Sequence, residues 1–151
     1  MSKRRVVVTG LGIVSPVGND IATAWSNIVA GKSGIGLISR FDTSAMSTRI
    51  AGEVKDFDSS KYMASKEARH FDTFIHYGIG ASTDAVRDSG IEVNDDTAER
   101  IGVMVGSGIG GLPMIERTHT EMTNKGMRRV SPFFVPGSII NMISGQLAIN
   151  L

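Results

Sequence analysis

The chain has 151 residues, about the length of one domain, since domains commonly run to roughly 100–200 residues. With 41% hydrophobic and 21% charged residues the composition excludes a disordered chain, and no apolar stretch reaches the roughly 18 residues that a membrane span needs. The formal net charge of +1 gives no global attraction to nucleic acid or lipid, and the absence of cysteine excludes disulfides, cysteine-bound metals and thiol catalysis within these residues.

The first predicted elements are a strand, a glycine turn and a helix. Residues 5–12 predict a short buried β-strand, and its apolar run, Val6–Val8, is shorter than the roughly 7–15 residues of a signal-peptide core, so we expect a cytoplasmic protein. Asn19 or Asp20 is placed to cap a helix through residues 22–29. Residues 35–55 predict loops with one edge strand near residues 50–54.

The middle of the chain predicts two further helices and a second strand. A long helix is expected to start at Ser65 and to end at Asp88-Ser89-Gly90. Residues 101–105 predict a buried strand that enters a glycine-rich turn, and a helix follows over residues 112–123. Residues 131–136 carry two prolines and are predicted to be non-helical. This βα-βα order predicts an α/β layered fold.

Apolar residues at helical spacing continue to Leu151, where no stop signal follows. Two explanations are open: a C-terminal helix docked on its own core, or a chain cut short inside a larger fold. We favour the second, because an apolar segment normally finds its buried partners later in the chain.

Gly106, Gly108 and Gly111 match the dinucleotide-binding pattern G-x-G-x-x-G. The pattern also needs a second strand ending in an acidic residue about 20 positions later, and this sequence has two prolines and a basic cluster there. An NAD(P)-binding oxidoreductase domain therefore stays only as a minor alternative. The other explanation is that these glycines let a loop approach another backbone closely.

Candidate polar sites are few. The three histidines, His70, His76 and His119, lack the spacing of a zinc motif, so no metal site is predicted and no cofactor is implied. Basic residues cluster before and within the long helix and again before the proline loop, whereas acidic residues concentrate between positions 84 and 99. These clusters are either solvated surfaces or a docking site for an acidic macromolecule.

Several sequence blocks resemble the β-ketoacyl-acyl-carrier-protein synthases, in the order in which that family has them. The blocks are Arg4–Gly12 with Ser15–Asn19, Phe41–Ser44, Val54–Phe57, Ile101-Gly102 with Gly106–Leu112, and Ser131–Pro136 with Asn141-Met142. The resemblance extends from end to end and is closest to the elongating synthases of bacterial type II fatty-acid synthesis.

This resemblance implies a thiolase-like layered fold (αβαβα), of which residues 1–151 are part of the N-terminal half, and a homodimer. It also implies a decarboxylating Claisen condensation of acyl- and malonyl-carrier protein by a cysteine thiolate at a helix N-terminus. That cysteine is expected shortly beyond Leu151, and none of the three histidines matches the family's catalytic ones. The resemblance therefore predicts no catalytic residue in this chain, which by itself is expected to be inactive.

Some functional positions carry over by resemblance. Ile109 and Phe134 match residues that line the family's acyl tunnel, Phe134 on the partner subunit's side. Four basic residues match positions that face the acyl carrier protein: Lys66, Arg69, Arg128 and Arg129. His70 stands where a fixed cation is common, which predicts a weaker or pH-dependent contact there. The remaining alternative is a non-catalytic module that binds the carrier protein or dimerises; no nucleic-acid or membrane partner is expected.

Overall fold

The computed structural model describes residues 4–151, which form six α-helices and one two-stranded sheet. The elements in chain order are α1 (Ile21–Val29), β1 (Ile35–Leu37), β2 (Ile50–Gly52), α2 (Ser65–Ala68), α3 (Thr73–Ser89), α4 (Leu112–Lys125), α5 (Phe134–Ser138) and α6 (Met142–Asn150). Three 3-10 turns lie at Ser59–Lys61, Ala98–Arg100 and Met127–Arg129.

Helix α1 begins as its sequence predicts. The carboxylate of Asp20 accepts a hydrogen bond of 2.8 Å from the backbone N–H of Thr23, so it satisfies one of the free donors at the helix start. The hydrogen bonds from Thr23 also lower the pKa of Asp20. This local cap confirms the predicted helix and its N-terminal boundary.

Strands β1 and β2 form an antiparallel pair in which Gly36 lies opposite Ala51. The predicted edge strand near residues 50–54 is therefore confirmed, although it ends at Gly52. Its partner was missed, because three residues are too few to give an alternating pattern.

The helix predicted to start at Ser65 is two helices. Helix α2 ends at Ala68, and α3 begins at Thr73 after a break that contains Asp72. The C-terminal end of α3 is as predicted, with Gly90 in the left-handed conformation at φ 65°. The prediction of one continuous helix was therefore wrong, although a helix does begin at Ser65.

The core lies between α3 and α6. Ile75 and Ile79 of α3 pack with Ile143 and Leu147 of α6, and Met63 completes the buried cluster. Four of these five side chains lie at helical i, i+4 spacing on the facing sides of two helices. Part of the C-terminal apolar segment thus docks on a core of this chain, whereas Ile149 and Leu151 are 75% and 39% exposed. This docking does not decide between the two explanations considered for the segment.

The two predicted buried strands are not strands in the described part of the chain. Residues 5–12 and 101–105 belong to no helix and no sheet, and Val6, Val8 and Met104 are 92%, 80% and 96% exposed. Each segment is held to a helix by one side chain. The carboxylate of Asp88 in α3 accepts a hydrogen bond from the N–H of Leu11. The hydroxyl of Ser144 in α6 accepts from the N–H of Val105 and donates to the carbonyl of the same residue. The prediction was wrong because no neighbouring strand within residues 4–151 completes a ladder.

The segment with two prolines is helical in its second half. Helix α5 starts at Phe134 and contains Pro136 as its third residue. A proline is tolerated there because the N–H groups of a first helical turn have no intrahelical acceptor. The prediction that residues 131–136 are non-helical therefore holds only up to Phe133. Within the residues described, no helix has the length and apolar character needed to cross a membrane.

Candidate functional site

The predicted site residues lie where three segments meet: the break between α2 and α3, the start of α4, and α5. The backbone N–H of Asp72 donates to the carbonyl of Gly137 at 3.0 Å, and the N–H of Gly111 donates to the carbonyl of Ser138 at 2.9 Å. Helix α5 is thus tied to the other two segments through its last residues.

A buried carboxylate fixes the start of α4. Asp72 is 6% exposed, and its Oδ2 accepts a hydrogen bond of 2.7 Å from the backbone N–H of Met114, the third residue of α4. The residue at the N-cap position, Gly111, has no side chain to serve this role. A negative charge at a helix N-terminus is also favoured by the helix dipole. Asp72 therefore caps α4 from a distant part of the chain.

The close approach of α5 requires a residue without a side chain. A Cβ on Gly137 would overlap the carbonyl oxygen of His70 and would lie 2.8 Å from the sulfur of Met114. Of the three glycines in the dinucleotide-like pattern, only Gly111 approaches another backbone, with Ser138 as its neighbour, whereas Gly106 and Gly108 border open space. The close-approach explanation is thus confirmed for one glycine of the three.

The four predicted docking residues are exposed. Lys66 lies in α2 and Arg69 directly after it, while Arg128 and Arg129 lie in the 3-10 turn that follows α4. Arg69 donates from Nε to the carbonyl of Ser65 at 3.2 Å. Among residues 4–151 the one side-chain ion pair joins Arg87 to Asp84, so none of these four cations is neutralised by a carboxylate within 4.0 Å.

The two predicted tunnel residues lie on connected segments. Ile109 is 71% exposed in the glycine-rich turn, and the end of that turn bonds to Ser138 in α5. Phe134 is the first residue of α5 and is half-buried. The two residues therefore lie on segments that are joined by the hydrogen bond between Gly111 and Ser138.

One cavity of about 100 Å³ joins a predicted docking residue to a predicted tunnel residue. Arg69 and Phe134 both line it, together with Arg117 of α4, whereas Lys66, Ile109, Arg128 and Arg129 do not. Sequence reasoning missed Arg117. No signal in the sequence indicated it, because its place on the cavity depends on the packing of α2, α4 and residues 131–134.

The histidines have separate structural surroundings. The ring of His70 stacks flat on Phe133, with centroids 3.6 Å apart and planes 6° from parallel. His76 places Nε2 at 2.9 Å from the carbonyl oxygen of Ala68, so this ring nitrogen has a partner inside the fold. In the described residues no three His, Asp or Glu side chains are grouped to hold a metal ion.

A larger cavity of about 410 Å³ lies away from all of these predicted residues. Tyr62 lines it and donates from its hydroxyl to Oδ2 of Asp84 at 2.8 Å. Burial, followed by the hydrogen bond and the negative charge of Asp84, raises the pKa of Tyr62 to about 12. The phenol is thus held neutral as a hydrogen-bond donor.

Comparison with known families gives a match over nearly the whole chain. The model of the N-terminal domain of β-ketoacyl synthases matches residues 3–151. A 3-oxoacyl-(acyl-carrier-protein) synthase 2 from Vibrio cholerae is 58% identical over 149 residues, which are 99% of this chain and 36% of that protein. The synthase 2 of Staphylococcus aureus strain N315 is 49% identical over 98% of this chain and 36% of its own length. The chain thus spans about a third of the curated relatives it matches.

Solved structures of ketosynthases share the fold. The ishigamide ketosynthase/chain length factor superposes with a TM-score of 0.80 at 25% identity, covering 98% of this chain and 37% of that one. A type II polyketide ketosynthase, solved with its acyl-carrier protein and bound to the hexaketide, gives a TM-score of 0.76 at 28% identity over 95% of this chain and 39% of that one. These likenesses confirm the predicted fold class, part of a thiolase-like layered fold.

Proposed function

The chain belongs to the β-ketoacyl synthase family, and from this premise we propose that it is the N-terminal portion of an elongating acyltransferase of fatty-acid synthesis. The proposed reaction condenses acyl-carrier protein with malonyl-carrier protein to give 3-oxoacyl-carrier protein. The observation that carries the proposal is the 58% identity to the Vibrio cholerae synthase over 99% of this chain.

In the proposed reaction a cysteine thiolate first takes the acyl group from the carrier thioester. Malonyl-carrier protein then loses CO₂, and the resulting carbanion attacks the acyl-enzyme to form the new carbon–carbon bond and release the thiolate. This sequence contains no cysteine. We therefore assign no catalytic residue to residues 1–151 and expect the chain by itself to be inactive.

The part that we assign to this chain is recognition of the carrier protein. Lys66, Arg69, Arg128 and Arg129 are exposed and have no carboxylate partner within 4.0 Å in the described residues. Unneutralised surface cations attract an acidic protein and orient it on approach. The four residues are named here the docking surface, and acyl carrier protein is its proposed partner.

The second assigned part is the wall of the acyl tunnel. Ile109 presents an exposed branched side chain from a glycine-rich turn, and Phe134 an aromatic ring at the start of α5. Both are apolar groups on anchored backbone, as a channel for an alkyl chain requires. A homodimer that places Phe134 beside the partner's tunnel, and a cytoplasmic location, are parts of the same proposal.

A chimera tests the proposal directly. In it, this chain replaces the matching segment of the Vibrio cholerae synthase, and the product is 3-oxoacyl-carrier protein formed from acyl- and malonyl-carrier protein. We expect the chimera to form this product and the 151-residue chain to form none. A folded chimera that binds the carrier protein but forms no product would favour the alternative, a non-catalytic carrier-binding module.

A further inference from the structure

The glycine-rich turn that carries Ile109 is held at its C-terminal end. The N–H of Gly111 donates to the carbonyl of Ser138 at 2.9 Å, and Gly110 takes a left-handed φ of 77° beside the same carbonyl. A Cβ on Gly110 would lie 2.6 Å from that carbonyl oxygen, so only glycine fits there. The first two glycines of the turn, by contrast, border open space. The turn therefore has one fixed end and one free end, and Ile109 lies beside the fixed one.

A serine side chain bridges the turn on either side of Ile109. The hydroxyl oxygen of Ser107, a half-buried residue, accepts a hydrogen bond of 3.1 Å from the N–H of Gly110. Such a bond between a side chain and a nearby backbone group gives a short turn its shape without a strand or helix. Ile109 lies between the two bonded residues, so the direction in which its exposed side chain leaves the turn depends on this bond.

Ser138 connects this turn to the start of α5. Its carbonyl accepts from the N–H of Gly111, and its hydroxyl donates to the carbonyl of Phe134 at 2.6 Å. Ser138 is 9% exposed, and within residues 4–151 it and Asp72 are the two buried polar side chains. A buried hydroxyl is costly unless it is hydrogen-bonded, and an apolar side chain would avoid this requirement. The hydroxyl thus does more than fill space, because it holds the backbone of Phe134 relative to the turn.

We propose that Ser107 and Ser138 are positioning residues that hold Ile109 and Phe134 at a fixed separation and thereby limit the acyl-chain length that the synthase accepts. The inference rests on the proposed function, because Ile109 and Phe134 are tunnel residues only in that proposal. In the proposed homodimer Phe134 lies beside the partner's tunnel, so Ser138 joins a wall of one subunit's tunnel to a wall of the other's. An apolar pocket discriminates between alkyl chains only when its walls do not yield to an extra methylene.

The experiment compares two primers on the chimera of this chain with the Vibrio cholerae synthase. The quantity measured is the ratio of kcat/KM for tetradecanoyl-carrier protein to kcat/KM for hexanoyl-carrier protein. Ser138→Ala removes the hydroxyl and is expected to raise this ratio about fivefold, the effect of one neutral hydrogen bond on a wall that excludes the longer chain. Ser138→Thr keeps a hydroxyl and is expected to restore the original ratio. Ser107→Ala is expected to raise the ratio as Ser138→Ala does, because it frees the turn around Ile109.

A control variant separates positioning from damage to the fold. Ser26→Ala makes the same change at an exposed serine of α1 and is expected to leave the ratio unchanged. A merely structural effect lowers kcat/KM for both primers together, so an unchanged ratio in Ser138→Ala overturns the inference while the proposed function stands. If Ser138→Ala does not fold, Ser107→Ala decides in its place, since Ser107 lies outside the buried core. A chimera that elongates neither primer contradicts the proposed function itself.

Discussion

At the scale of single residues, Asp72 connects two parts of the chain that are 42 positions apart. Its carboxylate caps α4, while its own backbone N–H bonds to α5. Because the carboxylate is engaged with Met114, Asp72 gives no side-chain cap to α3, the helix that it directly precedes. One buried residue thus connects the segments that carry the proposed docking and tunnel residues.

Asp72→Ala is expected to lower the free energy of unfolding by about 2 kcal/mol, because a charge-assisted hydrogen bond and a helix cap are lost together. Asp72→Asn should lose less, since its amide oxygen still accepts from Met114. Urea unfolding measures both effects. Asp95→Ala serves as the control at an exposed aspartate and should stay within about 0.5 kcal/mol. Equal losses at positions 72 and 95 would contradict the capping role.

Tyr62 supplies a prediction about pH. Its pKa rises from 10.0 to about 12 on folding, chiefly through burial and then through Asp84. The folded state therefore holds this proton at pH values where the unfolded state has released it, so the contribution to stability is full below pH 10 and disappears as pH rises to about 12. In alkaline difference spectra, the phenolate signal that Tyr62→Phe removes should appear near pH 12. A signal centred at pH 10 would contradict the environment described here.

At the scale of elements, α5 depends on contact between backbones. The carbonyl of His70 occupies the position that a side chain at Gly137 would need. Gly137→Ala is expected to cost about 1–3 kcal/mol, because either α5 or the α2–α3 break must move. Gly36→Ala is the matched control, since a Cβ there meets nothing within 4 Å, and its thermal unfolding should barely change. A Gly137→Ala protein with unaltered unfolding would show that α5 packs loosely.

The sequence alone predicts correctly the helix ends whose capping residues lie directly beside them in the chain. The capping carboxylate of Asp20 and the terminal Gly90 lie beside the helices that they bound, so α1 and the end of α3 were predicted correctly. The break before α3 was not predicted; it contains Asp72, whose hydrogen-bond partners Met114 and Gly137 lie far along the chain. The segments at residues 5–12 and 101–105 were predicted as strands from their apolar pattern, yet a strand also needs a neighbour, which no local pattern reveals.

The residues around the small cavity were predicted only in part, because some of them come together only through contacts between distant parts of the chain. Arg69 and Phe134 were identified by their resemblance to family motifs, and both line the small cavity. Arg117 matched no motif and became visible only when α2, α4 and α5 were packed together. Its place on the cavity depends on the convergence of three segments, and the spacing within any one of them does not reveal it.

At the scale of the whole molecule, the chain exposes more surface than a compact monomer does. Its accessible surface is 11144 Å², about one and a half times the roughly 7,400 Å² expected for a monomer of 16.1 kDa. Val6, Val8 and Met104, which would be core residues in a completed sheet, are among the most exposed apolar side chains. In the proposed synthase, further protein covers these faces, while the docking surface stays open to the carrier protein.

The central claim is that this chain supplies the surface on which a condensing enzyme receives its carrier protein. The most direct measurement is the KM of the chimera carrying Arg128→Glu and Arg129→Glu, determined once with acyl-carrier protein and once with the same acyl group on free pantetheine. Reversing two cations should raise the KM for the protein-bound substrate about tenfold or more and leave the KM for the small thioester unchanged. Equal KM values for acyl-carrier protein before and after the reversal would contradict the claim.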